Sequence, residues 1–110
     1  MTPDELRFLG LMRRAGKLEI GEAGVKKAAA ARKAKCILLA SDASANAEKR
    51  AMAFAAAAGA PLKRLNGTKT ELSDALGSSA AAIYAICDEG FYRAFEKKQN
   101  RTERETGSAG

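Results

Sequence analysis

Apolar and polar positions alternate along this chain in two periods, and the switch between them sets out the elements. Leu6, Leu9 and Arg13 form one helical row, and Phe8, Leu11, Met12 and Ala15 a broader apolar face, so the spacing predicts a first helix. Thr2, Pro3 and Glu5 supply a capping box with proline in the first turn, and Gly16 ends the helix. Lys17–Gly21 then alternates as a short strand does, and a second helix is expected over residues 22–32, with Val25, Ala28, Ala29 and the stem of Arg32 as its inward row.

The run Cys36-Ile37-Leu38-Leu39-Ala40 is apolar throughout, as in a strand covered on both faces. A third helix is expected over 46–58, closed by Gly59 and Pro61, and a third strand over 62–65 before an Asn66-Gly67 turn. Thr68-Lys69-Thr70-Glu71 has the form of a second capping box, and Gly77 ends the helix that it opens. Ala82–Cys87 reads as the fourth strand. Asp88 caps a last helix with Phe91, Ala94 and Phe95 on one face. Alternating helices and buried strands predict an α/β fold, a three-layer α-β-α sandwich. The expected division is one domain over residues 1–98 and a polar, disordered tail over 99–110.

Composition narrows the chemistry. The chain has 110 residues, 46% of them hydrophobic but only 5% aromatic, with no histidine. Lacking histidine, it has no general base with an ordinary pKa near neutrality, and its serines have no imidazole to activate them. Cys36 and Cys87 lie far apart in apolar runs and read as reduced, inert thiols, too few for a zinc site. Asp42, Asp88 and Glu89 are explained by caps and turns, so no metal site is expected. Gly21-Glu22-Ala23-Gly24 lacks the third glycine of a dinucleotide fingerprint, and the Gly67-Thr68-Lys69-Thr70 segment lacks the upstream glycine of a P-loop. Neither a cofactor, a small-molecule substrate nor a catalytic residue is expected. No apolar run is long enough to span a membrane, so the protein is expected in the cytoplasm, as a monomer.

Charge changes the picture more. Residues 1–69 carry 14 Lys and Arg against 6 Asp and Glu, whereas residues 70–110 carry 5 against 7. A basic front of this size suits a polyanion, since each neutralised phosphate releases counterions. Lys26 and Lys27 follow a helix start whose amide groups also attract phosphate, and Arg13, Arg14, Lys17, Arg32, Lys33 and Lys35 widen the basic surface if they face the same way.

The ordered segments Phe8–Leu18, Gly21 with Lys27, Ala34–Asp42, Lys69–Leu72, Gly77 and Ala85–Gly90 together resemble the bacterial YlxQ-like proteins. These belong to the kink-turn-binding ribosomal protein superfamily, the seven-Ae and thirty-e group of large-subunit proteins. The resemblance implies a mixed four-stranded sheet, a ribosomal or translation-associated setting and binding of structured RNA at two turns. The first is Gly21-Glu22-Ala23-Gly24 with Lys26, Lys27 and Lys33 behind it; the second is Gly77-Ser78-Ser79-Ala80. Relatives carry a polar pair that reads sheared G·A pairs where this chain has Ala23-Gly24, whose side chains cannot hydrogen-bond a base edge. The alternative reading is a protein-interaction module that uses the same surface without binding RNA directly.

Overall fold

The structure is a computed structural model that describes the backbone of residues 1–108 and the side chains of residues 1–101. Its elements follow the order α1 (Pro3–Arg14), β1 (Leu18–Ile20), α2 (Glu22–Ala30), β2 (Cys36–Leu39), α3 (Ala45–Ala58), β3 (Leu62–Arg64), α4 (Lys69–Leu76), β4 (Ile83–Ile86) and α5 (Glu89–Ser108).

The first helix begins where its capping box is made. Thr2 Oγ1 accepts the Glu5 amide at 3.1 Å, and the Glu5 carboxylate accepts the Thr2 amide at 2.9 Å, so this carboxylate is buried with its partners. Leu9 and Met12 are the inward residues, flanked by half-buried Leu6 and Phe8; Leu11 faces solvent. At α4 only half of the expected box forms. Thr68 Oγ1 accepts the Glu71 amide, while the Glu71 carboxylate turns to the terminal ammonium of Met1, 3.7 Å away.

The four strands form one mixed sheet in the order β1-β4-β2-β3, antiparallel at β1–β4 and β4–β2 and parallel at β2–β3. Its two faces carry separate cores, as strand alternation requires. Leu18, Cys36, Leu38, Tyr84 and Ile86 meet α1, α4 and α5 through Leu9, Met12, Leu72, Leu76 and Phe95. Ile37, Leu39, Ile83 and Ala85 meet α2 and α3 through Val25, Ala28, Ala47, Ala51 and Ala55. The second core is built on alanines, so these helices approach the sheet closely. The result is the three-layer α-β-α sandwich around a mixed four-stranded sheet.

Two boundaries depart from expectation. The second helix ends at Ala30, and Arg32 adopts a left-handed conformation (φ 57°) instead of extending the inward row. Its amide bonds Ala29 O at 3.0 Å and the Lys33 amide bonds Ala28 O at 2.9 Å, which reverses the chain toward β2. The last helix continues to Ser108, across the expected start of a disordered tail at residue 99. Gln, Arg and Glu make up half of residues 99–108 and are good helix formers, so the polar composition does not stop the helix. Residues 109 and 110 of the expected tail lie outside the described residues. Near the same boundary, Lys98 bonds Asp4 at 2.8 Å and lies 5.1 Å from the Phe8 ring centroid, tying α5 to α1. That bond holds the Asp4 carboxyl below its ordinary range.

Leu38 is fully buried in the strand between β4 and β3. Leu38→Ala is expected to destabilise the fold by about 3 kcal/mol, measured as a lower urea midpoint at unchanged slope.

Candidate nucleic-acid interface

The β1–α2 turn depends on one residue. Gly21 holds φ 94° and ψ 161°, a conformation essentially confined to glycine, and its amide donates to Ile83 O at 2.9 Å. Because β1 and β4 are antiparallel, this bond places the turn beside the start of β4. The two segments share a recess of about 230 Å³ lined by Gly21, Glu22, Ala47, Arg50 and residues 80–83. Glu22 pairs with Arg50 of α3, so its charge is engaged within the protein.

Of the Gly77–Ala80 loop, Ala80 is the residue that reaches this recess. Gly77 ends α4, where the Arg13 guanidinium donates to Leu76 O and stands 3.5 Å from Gly77 O. Arg13 is therefore occupied by the C-terminal carbonyls of α4, a stabilising place for a cation. Ser78 donates from its hydroxyl to Ser79 O at 3.1 Å. Arg14 belongs to another recess, with Asp4, Arg7, Phe8 and Leu11.

The principal basic surface lies along the outer flank of α2, beside the edge strand β1. There a groove of about 660 Å³ is bordered by Lys17, Lys27, Arg32, Lys33 and Lys35, with Gly16, Gly24, Ala28, Ala31 and Cys87 between them. Glu19 is its acidic member. Topology explains the convergence. Lys17 precedes β1, Lys35 precedes β2 and Cys87 follows β4, and the antiparallel pairing brings all three to one end of the sheet. Lys33 arrives there because α2 runs back along the sheet from Gly21, and Lys27 lies on the same flank. Lys26, one residue earlier, points to a different recess with Glu22, Ala23, Arg50, Ala53 and Phe54. The adjacent lysines thus serve opposite flanks of the helix, as about 100° of rotation per residue demands.

The model of the ribosomal protein L7Ae/L30e/S12e/Gadd45 family matches residues 7–96. The chain belongs to this family. A solved structure described as a protein with unknown function from Bacillus halodurans C is similar at 28% identity, with a TM-score of 0.77 over 87% of this chain and 96% of that one. The 15.5kD RNA binding protein of Giardia lamblia shares the fold at 17% identity, with a TM-score of 0.65 over 90% of this chain and 84% of that one. No curated protein gives a significant match to the chain.

Within this L7Ae-family fold the two cysteines stay protonated. Burial pushes the Cys36 thiol up to about 12, and burial with the Glu19 charge raises that of Cys87. Neither provides a thiolate nucleophile at neutral pH. Among the described residues, no three His, Cys, Asp or Glu side chains come together as a metal site would require. Sequence reasoning placed Cys87 in a buried strand, yet β4 ends at Ile86 and Cys87 is half-buried in the groove. Glu19 went unnoticed among the candidate residues because a single polar position in a three-residue strand carries no motif.

Arg32 brings a cation to the groove at the expense of backbone strain, since a left-handed conformation disfavours a residue with a Cβ by roughly 1–2 kcal/mol. Arg32→Gly is expected to raise thermal stability by about 1 kcal/mol while weakening polyanion binding. Calorimetry and heparin-column retention check the two effects separately. Reduced stability in the glycine variant would show that the guanidinium contributes more to the fold than the strain removes.

Proposed function

We propose that this protein binds structured RNA through the groove on the outer flank of α2 and catalyses no reaction. The convergence of Lys17, Lys27, Arg32, Lys33 and Lys35 from three separate chain segments carries the reading. Five cations face the groove against one acid, and a phosphate backbone requires spaced cations of this kind. Membership of a family that includes ribosomal proteins supports RNA as the polyanion, and the RNA-binding protein of Giardia lamblia shows this fold in that use.

In this arrangement Lys27 and Lys33 contact phosphates, and Lys26 adds charge from the α3 side. The Gly21–Gly24 turn and the Gly77–Ala80 loop border the RNA at the other end of the sheet. The absence of histidine and the protonated thiols support a binding role without catalysis. Among the described residues no helix is long and apolar enough to cross a membrane. Association with the ribosome, as a monomer in the cytoplasm, is the setting we propose.

Affinity for a hairpin RNA with an internal loop, measured by fluorescence anisotropy from 50 to 300 mM KCl, tests the reading. Log affinity should fall linearly with log salt, and Lys27→Ala should reduce the slope by about 1. Lys26→Ala should change the slope less, because that side chain lies on the other flank. A response independent of salt, or a Lys27→Ala slope equal to that of the wild type, would overturn the assignment of the groove.

A further inference from the structure

Glu19 is the one acid in the groove, and its position is specific. It lies in edge strand β1 between Leu18 and Ile20, both of which pack on the α1–α4–α5 side of the sheet. Strand alternation therefore sends Glu19 to the other face, toward α2. A Cβ built on Gly24 would stand 2.5 Å from Glu19 Oε2 and 3.7 Å from Glu19 Cβ. The carboxylate thus occupies the volume into which a larger residue 24 would project. Glycine at 24 leaves that volume to a side chain from the neighbouring strand.

The carboxylate is also unengaged. Glu22, Glu48, Glu71, Glu89 and Asp4 each pair with a cation of the protein. Glu19 shares its groove with five cations, yet among the described residues its carboxylate takes part in no ion pair or hydrogen bond. An unpaired acid repels a phosphate backbone, so it opposes the binding that its neighbours favour. It helps only a ligand that brings donors of its own.

The chemistry of a carboxylate selects that ligand group. It accepts through two oxygens and donates nothing, so it is best matched by two parallel N–H donors. Guanine presents such a pair, N1–H beside the N2 amino group, on its Watson–Crick edge. Adenine and cytosine place an acceptor nitrogen beside their amino group, and uracil sets its single N–H between two carbonyls. In a regular duplex the guanine edge is consumed by pairing; in a loop or a non-Watson–Crick pair it is free.

We propose that Glu19 is a specificity residue that accepts N1–H and N2–H of a guanine with a free Watson–Crick edge, while the surrounding lysines hold the flanking phosphates. This rests on the RNA-binding reading above and names the base that the same surface selects.

A pool of hairpin RNAs with a constant stem and a randomised internal loop, captured on the immobilised full chain at low salt and sequenced, tests it. The wild type should enrich guanine at one loop position about 10-fold over the other bases. Glu19→Gln, which replaces one acceptor by a donor, should abolish that enrichment while retaining RNA at a similar salt slope. Inosine at the selected position, lacking the N2 amino group, should weaken wild-type binding and leave the variant unaffected. Unchanged guanine enrichment in Glu19→Gln, no enrichment in the wild type, or equal tightening of all RNAs by the variant would overturn the role of Glu19 alone. The last result would make the carboxylate a repulsive charge only. Failure of the wild type to retain any RNA would overturn the RNA reading itself, and the assignment of Glu19 with it.

Discussion

The hydrogen bond from the Gly21 amide to Ile83 O joins the end of β1 to the start of β4. It forms at a backbone conformation that a Cβ would strain, and α2 takes its direction from there. Leaving Gly21 at φ 94°, the chain enters α2 at once and runs back over the Ile37–Ala85 face, where Val25, Ala28 and Ala29 are buried. A different residue at 21 would turn the helix start and with it the cation row. Thus a single glycine with no functional group orients the helix that brings Lys27, Arg32 and Lys33 to the groove, where strand pairing has placed Lys17 and Lys35.

The register of α2 decides the rest. Val25, Ala28 and Ala29 fix the buried stripe, and the positions on either side of it are assigned to opposite flanks. Lys27 joins the groove with Lys17 and Lys33; Lys26 faces α3. The alanine-rich core on this side of the sheet makes the arrangement possible, because small side chains let α2 lie close enough to β1 for Glu19 to fill the space over Gly24. A core of larger residues would lift the helix and separate the strand acid from the helix cations.

Much of this was legible in the sequence. Apolar periodicity located all nine elements, since buried strands such as Cys36–Leu39 and capped helices such as Pro3–Arg14 are specified by local pattern. The two candidate turns were also locatable, because glycines at the junctions of strand and helix mark them. The grouping of the basic residues was not legible. Arg13 and Lys17 are four residues apart, yet one is drawn to the C-terminus of α4 and the other lines the groove. Their division follows from tertiary positions of α4 and β1, which no local spacing encodes. Arg32 escaped for a related reason: its inward-row periodicity continues the pattern of α2, but the chain must reverse to reach β2, and the reversal falls on a residue with a side chain.

The position of Glu19 bears on how a fold of this kind changes its ligand. Residues on a turn explore several conformations, whereas a strand residue is held by its ladder. Glu19 is paired with Ala85 in the β1–β4 ladder, so its Cα is fixed relative to the central strands. A polar group carried by the strand therefore reaches the space over α2 from a more rigid point of attachment than one carried by the helix turn would. Such a placement requires the helix to surrender its own side chain, because the two cannot share the volume over residue 24. Gly24, which in the sequence reads with Ala23 as a loss of recognition, is in the structure the condition for placing a carboxylate there from β1.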